Sequence, residues 1–149
     1  MKKKKIVAVS GGFDPIHIGH LRMFKRARAL CDKLVVILNN DNWLIAKKGF
    51  AFMPERERAE ILASFPFVDE VIVTSHKKND TDRSVVRELN ALKPDIFANG
   101  GDKKTHKHIP EAMACKKLGI KMVFNVGGGK VQSSSRLTEK IRTVTGIGK

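Results

Sequence analysis

Cysteine is scarce in this chain of 149 residues, which contains only Cys31 and Cys115, far apart in the sequence. Two separated thiols argue against both a disulfide framework and a structural zinc site. Long apolar runs are also lacking, because the longest, Leu34–Leu38, has five residues and is far too short to span a bilayer. The basic residues Lys2–Lys5 precede a similarly short mixed run, not the hydrophobic region of a signal peptide. These absences predict a soluble cytoplasmic protein.

Acidic side chains are few as well, with 15 Asp and Glu against 29 Lys and Arg, for a formal net charge of +14. Such an excess favours anionic partners, which include phosphorylated metabolites, nucleotides, nucleic acid and membrane surfaces. A hydrophobic fraction of 42% and a charged fraction of 30% are typical of a globular protein. The length predicts a single domain over residues 1–149.

Short apolar runs alternate with longer amphipathic segments along the whole chain. The predicted strands are Ile6–Val9, Leu34–Leu38, Val71–Val73, Ile96–Ala98 and Met122–Phe124. The predicted helices are Gly19–Cys31, a segment from Pro54 to Pro66 with Ile61, Leu62 and Phe65 facing the core, Val85–Leu92, Pro110–Leu118, and a last helix capped by Ser133–Ser135. This alternation predicts an α/β fold with a five-stranded parallel sheet, helices on both of its faces and right-handed crossovers.

Polar and glycine-rich segments follow four of the five predicted strands. They are Gly11–His20, Asn39–Asp41, Asn99–Asp102 and Gly127–Ser135. Ligands of open parallel sheets bind beyond the carboxyl ends of the strands. We therefore expect these segments to converge on one pocket.

The common phosphate-binding fingerprints are missing. No G-x-G-x-x-G follows a strand, and Gly129-Lys130 lacks both the upstream glycine and the following hydroxyl residue of a P-loop. Instead, His17-Ile18-Gly19-His20 stands where a helix is predicted to begin. Two imidazoles three residues apart, beside free backbone N–H groups and the positive end of a helix dipole, predict an anion site. Gly19 would let a phosphate approach the backbone closely.

The ten residues Gly11–His20 read G-G-F-D-P-I-H-I-G-H and resemble the signature G-x-F-D-x-x-H-x-G-H of a nucleotidyltransferase superfamily with a Rossmann-like domain. Later segments are also similar to this family. They are Asn40-Asp41 as a polar step, Lys47-Lys48 in a basic loop, Pro54–Leu62 as a P-x-x-x-R helix with Arg58 at the arginine, Phe67–Ile72 as a V-D-x-V-I strand, and Ser133–Ser135 in place of an S-T-T motif.

The resemblance implies that the phosphate of an acceptor attacks the α-phosphorus of a nucleoside triphosphate in line and releases pyrophosphate. Mg²⁺ would bridge phosphate oxygens, with Asp14 orienting the site or helping to hold the ion, and a homodimer is compatible with the family. The residues implied as catalytic are His17, His20, Lys47 and Arg58. Those implied for nucleotide binding are Gly12, Phe13, Asp14, Gly19, Gly101, Asp102, Ser133, Ser134 and Ser135, and those for the acceptor are Asp41 and Lys48.

Several of these residues have a plainer structural interpretation. Lys47 and Lys48 are also what a solvated loop would contain, and Arg58 has an ion-pair alternative with Glu55 one helical turn away. Asp41 and Asp102 are good turn residues in any fold. The remaining histidines, His76, His106 and His108, belong to no constellation in the sequence and receive no role.

The substrate pair stays open between two branches of the family. Lys93-Pro94-Asp95 followed by Gly100-Gly101-Asp102 resembles heptose-1-phosphate adenylyltransferases, which favours ATP and a sugar phosphate. The short chain also suits CTP with glycerol 3-phosphate or a related alcohol phosphate, although residues 125–132 depart from the R-T-x-G-I-S-T-T of that branch.

An alternative of another class is a basic RNA-binding module. The net charge favours it, and His17-Ile18-Gly19-His20 is also found in class I aminoacyl-tRNA synthetases. The chain has few aromatic residues for base stacking and no K-M-S-K-S sequence, which makes nucleic acid the less favoured partner.

The helix starts at His17–His20 and Ser133–Ser135 are expected to point into one crevice and to bind the triphosphate together.

Overall fold

The computed structural model describes residues 3–100, 110–126 and 133–145. Its strands and helices follow one another along the chain in a nearly regular alternation. In chain order they are β1 Ile6–Gly11, α1 Ile18–Arg28, β2 Lys33–Leu38, α2 Asp41–Lys48, α3 Glu55–Ala63, β3 Glu70–Val73, α4 Val86–Leu92, β4 Ile96–Gly100, α5 Pro110–Leu118, β5 Lys121–Val126 and α6 Ser134–Thr145. Among the described residues, no helix is long and apolar enough to cross a membrane.

The five strands form one parallel sheet in the order β3-β2-β1-β4-β5. From β1 the chain builds outwards through β2 to β3, and it then returns to add β4 and β5 on the other side of β1. The strand order therefore reverses between β1 and β4, and the crevice at such a switch point is where open α/β sheets bind ligands. The predicted five-stranded parallel sheet is confirmed.

Two apolar clusters cover opposite faces of this sheet. Side chains alternate along a strand, so Val7 and Val9 of β1 enter one cluster with α1 and α3, while Ala8 enters the other with α4 and α5. The central strand β2 is buried over Leu34–Leu38, as expected for a strand with helices on both sides. The predicted helices on both faces are thus confirmed.

The principal difference from the sequence prediction is the additional helix α2. Lys47 and Lys48, predicted in a loop, lie in its last turn, which ends at Gly49 with a left-handed φ of 87°. Asn40 is its N-cap, because its side chain accepts the amide of Trp43 at 3.0 Å. The eight residues of α2 are too few to show a clear apolar period, which is why the sequence pattern missed it.

In α3 the buried face also differs from the prediction. Ile61 is 37% exposed, and the buried positions are Arg58 and Leu62, one turn apart. An arginine was not expected in the interior, because burial of its charge requires a full set of hydrogen-bond acceptors. The bounds of α5 agree with the prediction. Asn99 and Gly100 were expected in a turn, but they belong to β4. Gly101, Asp102 and Gly127–Gly129 lie outside the described residues.

Candidate active site

The turn after β1 is packed too tightly for side chains at its two glycines. A Cβ at Gly11 would lie 2.9 Å from the Phe13 ring, and a Cβ at Gly12 would lie 2.8 Å from Cδ2 of Leu44 and 3.3 Å from the Trp43 ring. Phe13 has a left-handed φ of 48° and is buried. Its ring meets the His20 ring edge-on at 4.8 Å. Gly12 and Phe13, expected at the nucleotide, thus shape the turn from within.

His17 and His20 form a reciprocal cap at the start of α1. Nδ1 of His17 accepts the amide of Gly19 at 3.1 Å, and Nδ1 of His20 accepts the amide of His17 at 3.2 Å. The two rings stack with centroids 3.7 Å apart. The amide of Gly19, expected to be open to phosphate, is therefore used by the cap.

This cap fixes the tautomers of the two rings. Because each Nδ1 accepts a hydrogen bond from the backbone, the proton of the neutral ring is assigned to Nε2. Burial and, next, the neighbouring His17 lower the pKa of His20 to about 3. His20 is therefore neutral at pH 7 and carries its hydrogen-bond donor at Nε2.

The Asp14 carboxylate is buried and is bound by two backbone amides and a lysine. Its side chain has 0% exposure, and its two oxygens accept the amides of Phe52 at 2.5 Å and Met53 at 2.7 Å. The ammonium of Lys48 donates to the Asp14 carbonyl at 2.8 Å and lies 3.6 Å from the carboxylate. Lys48, predicted at the acceptor, is thus 19% exposed and directed at Asp14. Together these contacts fasten the segment after α2 to the turn after β1.

Arg58 is a buried tie between four segments. Its guanidinium donates to the carbonyls of Met53 at 2.8 Å and of Gly12 and Asn39 at 2.7 Å each, and to Oδ1 of Asp41 at 2.7 Å. The side chain has 0% exposure, so its predicted contact with phosphate does not fit this geometry. The alternative ion pair with Glu55 is wrong, because the carboxylate partner of Arg58 is Asp41.

Asp41 and Glu55 complete the same junction. Glu55 Oε1 accepts the amide of Asp41 at 3.0 Å, while the Asp41 carboxylate binds Arg58. Asp41 was predicted at the acceptor, and here it joins α2 to α3. By contrast, Lys47 is exposed at the end of α2, with its ammonium 4.8 Å from the centre of the Trp43 ring.

The start of α6 contacts the turn that precedes α1. The Ser134 hydroxyl donates to the Pro15 carbonyl at 2.6 Å, two residues before His17. Ser133 is the N-cap, since its hydroxyl accepts the amide of Arg136 at 2.9 Å, and Ser135 is exposed. The predicted proximity of the two helix starts is therefore present in the structure.

Metal ligands are not gathered in this part of the molecule. Among the described residues, no group of three or more His, Cys, Asp and Glu side chains is arranged to hold a metal ion. Asp14, the residue expected to help hold Mg²⁺, has both oxygens engaged by amides. The described residues do not fit a protein-bound metal centre.

Sequence reasoning assigns no role to Trp43, whose ring closes over Gly12 and whose Nε1 donates to the Arg83 carbonyl at 2.8 Å. Trp43 and Lys47 are four residues apart, and side chains at this spacing are neighbours on a helix. The sequence pattern does not predict α2, so it does not predict this contact. The sequence pattern groups Asn39 only with a polar turn, and its buried Oδ1 has no hydrogen-bond partner among the described residues.

The open parallel sheet, its switch point and the capped helix start define an α/β protein of the nucleotide-binding type. The chain belongs to the cytidylyltransferase-like family, whose model matches residues 8–140. This confirms the resemblance drawn from the signature.

The curated relatives include FAD synthase from Thermococcus sibiricus, 42% identical over 103 residues that cover 68% of this chain and 66% of the relative. Bifunctional protein HldE from Helicobacter pylori is 36% identical over 144 residues, which cover 95% of this chain and 29% of that protein. The chain therefore corresponds to less than a third of that HldE and to about two thirds of the FAD synthase.

Two solved structures share the fold. A lipopolysaccharide core biosynthesis protein from Thermoplasma volcanium superposes with a TM-score of 0.66 at 25% identity, over 83% of this chain and 97% of that one. Pantoate-beta-alanine ligase from Francisella tularensis has a TM-score of 0.60 over 99% of this chain and 72% of that one. At 18% identity, the second structure shows likeness of fold alone.

Proposed function

We propose that this chain is a nucleotidyltransferase that joins the nucleoside monophosphate of ATP to the phosphate of a small acceptor and releases pyrophosphate. The observation that carries the proposal is the capped histidine pair at the start of α1, placed against the start of α6 beside the switch point. Two helix starts bring two positive dipole ends and imidazole donors to one crevice, which suits a triphosphate.

In the proposed reaction, an oxygen of the acceptor phosphate attacks the α-phosphorus in line. The bond from that phosphorus to the bridging oxygen breaks, and the electron pair leaves with pyrophosphate. Negative charge increases on the phosphate oxygens during this step. Nε2–H donors on His17 and His20 would stabilise that charge, and such transfer depends on positioning and electrostatics more than on a protein nucleophile.

For the other predicted residues we propose roles that follow their contacts. Asp14, Asp41, Lys48 and Arg58 bind one another and the backbone, and we assign them to positioning. Lys47 is the cation that we assign to the acceptor phosphate. A divalent cation, which we propose to be Mg²⁺, would arrive with the triphosphate. Roles for Gly101, Asp102, Ser133, Ser134 and Ser135 at the nucleotide stay predictions, as do the cytoplasmic location and the homodimer.

The relatives favour an adenylyl donor over CTP. FAD consists of FMN joined to AMP, so the FAD synthase relative supports transfer from ATP to a phosphorylated acceptor. HldE proteins contain a heptose-1-phosphate adenylyltransferase domain, which supports the same donor with a sugar phosphate. A heptose 1-phosphate-like sugar phosphate is our preferred acceptor. FMN is the second candidate, because the FAD synthase relative is 42% identical over its aligned region.

A matrix of ATP or CTP with heptose 1-phosphate, FMN or glycerol 3-phosphate tests the proposal through pyrophosphate release in the presence of Mg²⁺. We expect turnover with ATP and with one of the first two acceptors. Thermal unfolding provides an independent readout, since a ligand at 100 times its Kd stabilises a protein by about 2.7 kcal/mol. Stabilisation by CTP alone would overturn the adenylyl donor, and tight RNA binding with no turnover would overturn the enzyme.

A further inference from the structure

His76, which has no motif around it in the sequence, lies in a buried polar network after β3. Its side chain is among the least accessible polar groups, at 3% exposure. Nε2 is 2.9 Å from the Ser84 carbonyl, which can only accept, so Nε2 carries the proton. In the neutral tautomer with its proton on Nε2, Nδ1 accepts from the Thr74 hydroxyl at 2.8 Å. The imidazole thereby fastens the two ends of segment 74–84 to each other.

The same segment is bound to the first turn of α2. The Thr74 hydroxyl accepts the amide of Asn40 at 3.1 Å, and the His76 carbonyl accepts the side-chain amides of Asn40 at 2.8 Å and Asn42 at 2.9 Å. The Trp43 indole adds its bond to Arg83 at 2.8 Å. Four hydrogen bonds thus join segment 74–84 to three residues at the start of α2.

The network lies on one side of the edge of the sheet that is formed by the carboxyl ends of the strands, where ligands bind. α1 starts after the central strand β1, and α6 starts after β5, so the two helix starts that we propose for the triphosphate lie at β1 and on its β4–β5 side. The carboxyl ends of β2 and β3, where Asn40 and Thr74 lie, form the other half. Two substrates must meet at the α-phosphorus, so the half next to β2 and β3 is left for the acceptor.

Burial of so many polar groups is a poor way to stabilise a fold, because apolar packing of similar volume is often as stable. A satisfied network does, however, fix one arrangement of the elements that it joins. We infer that His76 is a positioning residue for the acceptor: by holding segment 74–84 against α2, it sets the place of Trp43 and Lys47 on the acceptor side. The inference rests on the proposed function.

The test measures the KM of the acceptor and the KM of ATP in the wild type and in variants. The acceptor is heptose 1-phosphate or FMN, depending on which of the two the wild type turns over. We expect His76→Ala to raise the acceptor KM by about tenfold while the ATP KM changes by less than about twofold. Thr74→Val, which removes the hydroxyl at nearly constant volume, should give the same split. His76→Gln should restore part of the acceptor affinity, because its amide can donate to the Ser84 carbonyl.

The control is Cys115→Ala, which removes a similarly buried sulfur atom of α5 from the apolar cluster that this helix forms with the sheet. It should lower the thermal midpoint and leave both KM values unchanged. If His76→Ala does not fold, the positioning role is tested with Thr74→Val and Asn42→Ala. The second of these removes one hydrogen bond to the His76 carbonyl. Equal rises in both KM values, unchanged KM values, or the same split in Cys115→Ala would overturn the positioning role alone. A wild type inactive with every pair would overturn the proposed function and this inference with it.

Discussion

The two ring nitrogens of His17 have separate tasks in the first turn of α1. Nδ1 caps the helix through the amide of Gly19, and Nε2 is the donor proposed for the phosphate. Asparagine is a good N-cap because its Oδ1 accepts the same bond, but it has no donor at the position of Nε2. One substitution can therefore separate the cap from the proposed chemistry.

We expect His17→Asn to keep the thermal midpoint near that of the wild type and to lower turnover with ATP by about 10²–10³-fold, the usual cost of losing one oxyanion donor. His17→Ala should lower turnover as much and also reduce the free energy of unfolding by about 1 kcal/mol through loss of the cap. Assays of pyrophosphate release and thermal unfolding measure both quantities. Arg22→Ala, an exposed change on the same helix, is the control, and wild-type turnover in His17→Asn would contradict the role.

A linear motif was enough to place His17 and His20, because three residues of spacing and a helix start determine their geometry. It was not enough for Arg58 or Lys48. Arg58 binds the Gly12 carbonyl across 46 residues of sequence, and Lys48 binds Asp14 across 34. Burial of a charge depends on such distant acceptors, which no local pattern contains. For this reason the sequence predicted phosphate contacts where the structure has internal ties.

At the scale of elements, α2 carries two neighbouring lysines in contrasting environments. Lys48 turns inward to the buried Asp14, while Lys47 lies outside on the Trp43 ring. Adjacent residues on a helix point about 100° apart, so one can be structural and the other functional. The sequence could not make this distinction, because it predicted a loop here and a loop has no inner face.

Replacement of each lysine by methionine should therefore give opposite results. Lys48→Met leaves Asp14 buried without its cation and should lower the free energy of unfolding by about 1.5–3 kcal/mol, as for a hydrogen bond to a charged group. Lys47→Met loses an exposed cation–π contact of about 0.5 kcal/mol but should raise the acceptor KM by about tenfold. Urea unfolding and steady-state kinetics on both variants provide the comparison. A higher acceptor KM in Lys48→Met alone would show that the two roles are reversed.

At the scale of the whole molecule, the order of the strands determines where the candidate active site lies. The five strands and their parallel direction follow from the alternation of apolar runs and amphipathic segments, since parallel neighbours need a long crossover, which is usually a helix. The order β3-β2-β1-β4-β5 did not follow from that alternation, because the local pattern does not say on which side of β1 a later strand is added. Once β4 lies beside β1, the starts of α1 and α6 meet, and the Ser134 contact with Pro15 is the result.

The meeting of these two helix starts predicts that a triphosphate orders both together. Mg²⁺ with a non-hydrolysable ATP analogue should slow hydrogen exchange at the amides of residues 17–21 and 133–137, and leave residues 111–118 of α5 unchanged. Ser134→Leu, which fills the contact with Pro15, should weaken binding of the analogue by about tenfold, a loss of about 1.4 kcal/mol. Lys140→Leu, a change at an exposed position further along the same helix, is the control.

The outcome distinguishes two ways of holding the triphosphate. If exchange slows at both helix starts, the dipole ends and histidine donors act on one ligand, as the geometry of the switch point requires. If it slows at residues 17–21 only and Ser134→Leu binds the analogue normally, α6 has no part in binding. Lys48 and Arg58 cannot then take its place, since their cationic groups are directed at Asp14 and Asp41. The β,γ end of the triphosphate would have to lie towards Lys47, and Lys47→Met would raise the KM of ATP as well as that of the acceptor.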